Sequence, residues 1–262
     1  MSRLALSAAG LIGIALATMS GTAQAEDSFT AISWSTGIEY SSGTYGGTED
    51  IEDTYVPLTV RFMTERVGYE LTVPYLSVTG PAGTTVLDPA DQPVAGSGPT
   101  ITESGMGDII AGATLYDVLY SDALDMALDL TGKIKFGTAD STQGLGTGEH
   151  DFTLRADVYK FYELVTLMAS TGYKFRGDPA DIDLDNVLLA SFGGALTLSD
   201  ETRLGLVYDY RESALAGNDD VAELSAFLSH AWNDTWHIQL YAFSGFSDSS
   251  ADWGAGILFE IS

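Results

Sequence analysis

Between Ala123 and Phe136 the chain alternates without a break. Leu124, Met126, Leu128, Leu130, Gly132, Ile134 and Phe136 fall on one parity, and Asp125, Ala127, Asp129, Thr131, Lys133 and Lys135 fall on the other. Period two marks a strand with one apolar face. The stretch is longer than the about 5–6 residues of a typical soluble strand and reaches the about 9–11 that a tilted strand needs to cross a bilayer. Reversing its facing would put Lys133 and Lys135 in hydrocarbon, at roughly 2–4 kcal/mol each near the midplane. The pattern therefore predicts one membrane-crossing strand over Ala123–Phe136, apolar set on lipid and charged set inward.

The same period recurs along the chain. Ile32, Trp34, Ile38 and Tyr40 alternate with Ser33, Ser35, Gly37 and Glu39 in a first strand over Phe29–Ser41, and Val56, Leu58, Val60 and Phe62 face away from Thr59 and Arg61 in a second. After a turn at Thr64-Glu65-Arg66, Val67, Tyr69, Leu71, Val73 and Tyr75 oppose Glu70 and Thr72. The longest loop follows, Thr79 to Thr102, where Pro81, Pro89, Pro93 and Pro99 argue against regular pairing. Ile109, Ala111, Ala113 and Leu115 form a fourth strand, predicted to turn over Asp117–Asp122. Further strands carry Phe152, Leu154, Ala156 and Val158, then, after a turn at Lys160–Glu163, Val165 to Phe175 on odd numbers, Leu188 to Leu198, Leu204 to Tyr210 and Leu224 to Leu228. Trp236–Phe246 alternates less cleanly, and Trp253, Ala255, Ile257, Phe259 and Ile261 mark the last strand. The total is about twelve, the even count of single-chain bacterial barrels, with long polar connections after odd strands and short ones after even strands. Only helices and closed barrels satisfy every backbone group in hydrocarbon.

Aromatic residues gather at the predicted strand ends. Tyr40, Tyr75, Phe136, Tyr173, Phe175, Tyr210 and Trp253 form one band, and Tyr116, Tyr120, Phe161, Trp232 and Trp236 the other, as interfacial girdles do. Charges fall on inward positions: Arg61, Glu70, Asp129, Lys133, Lys135, Asp151, Arg155, Lys174, Arg176, Asp209, Arg211 and Glu223. Counting back from the turns sets Lys135 opposite Asp151, Arg211 opposite Glu223 and Arg61 near Glu70, within reach of cross-strand pairing. Such a lumen network has two readings, a structural lacing of the wall or a charged constriction that selects solutes.

The N-terminus carries an export signal. Arg3 precedes an apolar core, Leu4–Leu16, and Ala23-Gln24-Ala25 is a small-residue cleavage site. Residues 1–25 are read as signal peptide and 26–262 as the barrel. There is no Cys, and the formal charge of −26 excludes a phosphate-binding surface and hence nucleic acid. His150, His230 and His237 stand near strand ends without a partnering nucleophile, so no catalytic residue is assigned. Asp178, Asp181, Asp183 and Asp185 lack the Gly and Glu positions of a calcium loop. No metal or other cofactor is expected.

Several short motifs carry a family likeness: Val73-Pro74-Tyr75, Ser104-Gly105-Met106-Gly107-Asp108, Lys133-Ile134-Lys135-Phe136-Gly137-Thr138, Leu145-Gly146-Thr147-Gly148, Gly177-Asp178-Pro179 and Gly245 to Gly256. On these residues the chain resembles the outer-membrane transporters associated with the phenol meta-cleavage degradation pathway. Phe136 stands where that family has Pro, and the chain ends Phe259-Glu260-Ile261-Ser262 without a terminal aromatic, which weakens the signal read by the barrel assembly machinery. The resemblance implies an outer-membrane barrel passing small or aromatic compounds, with no catalytic residues.

The expectation is an all-β fold, a transmembrane antiparallel up-and-down barrel in a bacterial outer membrane. It would contact lipid and lipopolysaccharide and pass a small solute passively. The alternative is a non-conducting structural or surface-recognition barrel that binds partners through its loops.

Overall fold

The computed structural model describes residues 31–88 and 93–262. The signal peptide and the start of the first predicted strand at Phe29 lie outside them. Twelve staves are built as the alternation dictates: β1 Ala31–Gly43, β2 Ile51–Met63, β3 Val67–Pro81, β4 in two segments, Thr100–Met106 and Ile109–Ser121, β5 Met126–Phe136, β6 Asp151–Phe161, β7 Val165–Phe175, β8 Val187–Thr197, β9 Thr202–Arg211, β10 Val221–Ala231, β11 Trp236–Gly245 and β12 Trp253–Ile261. Each pairs antiparallel with its sequence neighbours, and β1 pairs with β12 through Trp34↔Ile261 to Ser42↔Trp253. The sheet thus closes on itself.

Connections after even staves span three or four residues, such as 64–66 and 162–164, whereas those after odd staves include 82–99, 137–150 and 176–186. All short connections lie at one end of the barrel, and both ends of the described chain lie there too. Outward positions expose Trp34, Leu58, Leu154, Phe192 and Leu206, and inward positions such as Ser33, Thr59, Asp129 and Ser225 are buried. That inversion of a soluble protein suits a wall with hydrocarbon outside.

Several sequence expectations need correction. The strand drawn from Ala123 begins at Met126, because Asp125 adopts φ 46° in the turn, and Leu124 and Asp125 are exposed there. The fourth stave does not turn at Asp117. It bulges there, with Asp117 at φ 49°, and continues to Ser121 after a register shift between Leu115 and Leu119. The bulge is held by the Asp117 amide, which donates to the Asp129 carboxylate at 2.8 Å. Likewise Lys160 and Phe161 belong to β6 rather than to a turn.

Of the prolines in Thr79–Thr102, Pro81 and Pro93 take part in pairing and Pro99 stands beside it, while Pro89 lies outside the described residues. β3 and the upper segment of β4 pair from Tyr75↔Met106 to Pro81↔Thr100, and Thr85–Val86 pairs with Pro93–Val94 in a small hairpin. Proline lacks a donor but keeps its carbonyl, and Pro99 accepts the Ala82 amide at 2.9 Å. β4 is broken at Gly107–Asp108. A side chain at Gly107 would meet Leu76 Cδ1 at 2.9 Å and Pro74 Cγ at 3.0 Å, so the close approach requires glycine.

Candidate functional site

The inward face of the twelve staves is the candidate site, and its side chains form two sets. One is ionic and draws on β2 to β7 and on Glu260 of β12. Arg61 stands across from Glu70, with Nε 3.5 Å from the carboxylate, and its Nη1 donates to Glu260 at 3.1 Å. Lys133 closes the chain onto Glu70 at 2.7 Å. Nearer the loop end, Lys135 is 3% exposed and stands across from Asp151, 3.4 Å away. Its ammonium donates to Asp108 at 3.0 Å, to the Thr147 hydroxyl at 3.2 Å and to the Leu87 carbonyl at 3.0 Å. Four oxygens around one buried ammonium offset the cost of removing its charge from water.

Asp108, at the break in β4, joins this group to the next loop. One oxygen receives Lys135, and the other accepts the Thr138 and Ala139 amides at 2.9 Å each. Arg176 approaches Asp151 at 3.6 Å, Lys174 donates to Asp88 at 3.0 Å, and Arg155 donates to Asp157 two residues along its own stave at 2.5 Å. Asp129 sits lower, across from Asp157. Asp209 faces Ser191 and Glu223, whereas Arg211 faces Leu189 and Val221. Glu223 is therefore opposite Asp209, not opposite Arg211. The path of the β9–β10 connection displaces the register by two residues.

The second set is aromatic, drawn from β2, β4 and β6 as well as β10 and β11, and periodicity alone did not reveal it. Tyr159, Phe227, Tyr241 and Phe243 point inward and are buried, with Tyr55, Tyr120 and Phe161 packed against the same cluster. Tyr241 donates to Glu39 across the β12–β1 seam at 2.5 Å. Inward rings lie over glycines of the neighbouring stave: Phe227 is paired with Gly205, Tyr241 with Gly256 and Phe243 with Gly254. A Cβ at Gly205 or Gly254 would fall 2.2 Å from the facing ring. The legible signal was this pairing of inward rings with inward glycines. β11 reads as poorly alternating because Leu240 and Ala242 face out while Tyr241 and Phe243 face in.

The aromatic bands change accordingly. Tyr40, Tyr75, Tyr173, Phe175 and Trp253 lie outward near the loop end, with Tyr40 and Trp253 ring centroids 5.4 Å apart, and Trp232 and Trp236 lie outward at the turn end. Tyr116, Tyr120 and Phe161 instead share the inward parity. The hydroxyl of Tyr116 lies over Gly68, and Phe161 stacks on Tyr159 at 6.3 Å. Tyr162, Phe62 and Tyr69 join Trp232 and Trp236 as exposed rings near that end.

The loop end is partly covered. Val86 donates its amide to Gly144 at 2.8 Å, and Leu87 is fully buried against Leu184, Val187 and Ala214. Among the described residues no group of three or more His, Asp or Glu side chains is arranged to hold a metal ion.

Comparison with known proteins fits this architecture. An outer membrane channel from Pseudomonas putida F1 superposes with a TM-score of 0.72 at 11% identity, over 92% of this chain and 99% of that one. The NanC porin gives 0.56 at 8% identity, over 88% and 100%. The translocator domain of autotransporter NalP from Neisseria meningitidis gives 0.56 at 11%, over 88% of each chain. At these identities the likeness is one of fold, and the fold is that of an outer-membrane β-barrel. No curated protein sequence matches the chain. A family profile does, across residues 16–261, and the chain therefore belongs to the family described as "Putative MetA-pathway of phenol degradation".

Proposed function

We propose that the protein is a passive outer-membrane channel for small solutes, with small aromatic molecules that bear a polar group as the class that fits best. The observation that carries this reading is an inner wall that bears both ion pairs and buried rings, the charges chiefly on β2 to β7 and the rings on β6, β10 and β11 with Tyr55 and Tyr120 beside them. Apolar contact suits the ring of such a solute, and convergent polar groups suit its hydroxyl or carboxylate. The family's description places it with phenol degradation, which supports the same class. Lipid, lipopolysaccharide and the assembly machinery would be its only standing partners, and no residue is given a catalytic role.

The test is single-channel recording on refolded protein. Small aromatics are expected to interrupt the potassium current in a dose-dependent way. Tyr241→Ala and Phe243→Ala should lose that block while still conducting, and Arg211→Ala should change conductance without abolishing block. Absence of current from the wild type and from every variant would overturn the channel. A non-conducting barrel that recognises partners through its loops is the second reading. The covered mouth, with Leu87 buried among three loops, is the observation that favours it.

A further inference from the structure

The connection between β3 and β4 leaves one side of the barrel and reaches far around the ring. Over Thr84–Asp88 it makes four separate attachments. The Val86 amide bonds to Gly144 in the β5–β6 loop at 2.8 Å, and the Leu87 carbonyl accepts from Lys135 on β5 at 3.0 Å. The Asp88 carboxylate accepts from Lys174 on β7 at 3.0 Å. The Leu87 side chain sits among Leu184 of the β7–β8 loop, Val187 at the top of β8, and Ala214 and Leu215 of the β9–β10 loop.

Two features separate this arrangement from ordinary loop packing. The anchoring cations come from the inward face of the wall, not from other loops, so the segment is drawn down into the mouth. Lys135 also spends its remaining contacts on Asp108, Thr147 and Asp151, which fixes its ammonium before the loop arrives. A loop held through a buried, charge-assisted contact has few alternative positions.

We propose that Lys135 and Lys174 are positioning residues for transport: they pin the strap Thr84–Asp88 across the outer mouth, and the strap sets the size of solute admitted. Lys174 and Asp88 form the adjustable end, because breaking that contact leaves the Lys135 group with its other partners. The inference rests on the channel reading, and its test is separable from it.

The chain has no cysteine, so Ser170→Cys, on the inward face of β7 below Lys174, gives a single reporter. In intact cells its labelling from outside is measured with a small thiosulfonate and with a bulky maleimide, which requires no ion flow. Asp88→Asn and Lys174→Met are expected to raise the bulky reagent's rate severalfold and the small reagent's rate little. Lys174→Arg, which keeps the cation, should return the wild-type ratio. Heat-modifiable migration on gels verifies that each barrel is folded. An unchanged ratio of the two rates in Asp88→Asn and Lys174→Met overturns the strap even where current flows. A changed ratio without current supports the strap and removes the channel.

Discussion

Lys133 and Lys135 are two positions apart on one stave yet hold very different places in the energetics. Lys133 keeps a fifth of its side chain accessible and meets Glu70 alone, whereas Lys135 is sealed among Asp108, Asp151, Thr147 and Leu87. Removing one partner from a buried charge group strands the rest, at about 3–5 kcal/mol, while exposed pairs contribute about 0–1. Lys135→Met is therefore expected to lower barrel stability by about 3–5 kcal/mol, and Lys133→Met by less, because Glu70 keeps Arg61 at 3.5 Å. Urea titration of heat-modifiable migration measures both, and equal losses would contradict the assignment. Both lysines were legible as inward from parity alone, and the Lys135–Asp151 and Arg61–Glu70 pairings followed from counting back through the turns. What could not be read was Asp108, because its role depends on a break in β4 that brings its carboxylate under a lysine 27 residues away.

At the level of the stave, facing was readable throughout and register only in part. The count was right across the long β5–β6 connection, where Lys135 meets Asp151, and two residues out across the shorter β9–β10 connection, where Glu223 arrives opposite Asp209, because the path of a loop leaves no mark in the alternation. The Asp117 bulge was hidden for a related reason: a positive φ at a non-glycine residue leaves no periodic trace, so the strand seemed to end there. The same logic yields two expectations. Leu206 faces lipid near the middle of β9, and Leu206→Arg should destabilise the barrel by roughly 2–4 kcal/mol in a folding titration, since the charge would enter hydrocarbon. On the inward face, Gly205→Ala would put a methyl group 2.2 Å from Cζ of Phe227 and 2.9 Å from the Gly194 carbonyl. Overpacking of this kind costs about 1–3 kcal/mol. Phe227→Leu should relieve much of that loss in the double variant, because it removes the far end of the ring. A double-variant penalty equal to the sum of the singles would show that the ring is not what the methyl strikes.

For the whole molecule, charge is distributed by height and not only by side. The loops 44–50, 137–150, 176–186, 212–220 and 246–252 contain no Lys and a single Arg, Arg176, which is buried beside Asp151, and are rich in Asp and Glu, whereas the inner wall holds cations in ion pairs. An approaching ion therefore meets an anionic vestibule before it meets a nearly compensated lumen. Such a field concentrates cations at the mouth and is screened by salt, the Debye length falling from about 10 Å at 0.1 M to about 3 Å at 1 M. On the channel reading, current in dilute potassium chloride should then be carried by cations in preference to anions, read as the sign of the reversal potential across a concentration gradient, and much of that preference should be lost near 1 M. Acid should erase it as well, in a definite order. Hydrogen bonds from Thr142 hold the Asp140 carboxyl below its ordinary range, and those from Tyr210 and Ser213 do the same for Asp220. These two therefore take up a proton at lower pH than an ordinary carboxyl, so the cation preference should extend further into acid than an ordinary carboxylate would carry it, and Asp140→Asn with Asp220→Asn should move its loss to higher pH. A reversal potential of anionic sign in dilute salt at neutral pH would mean that the inner-wall lysines and arginines, not the loops, set the field that permeating ions meet.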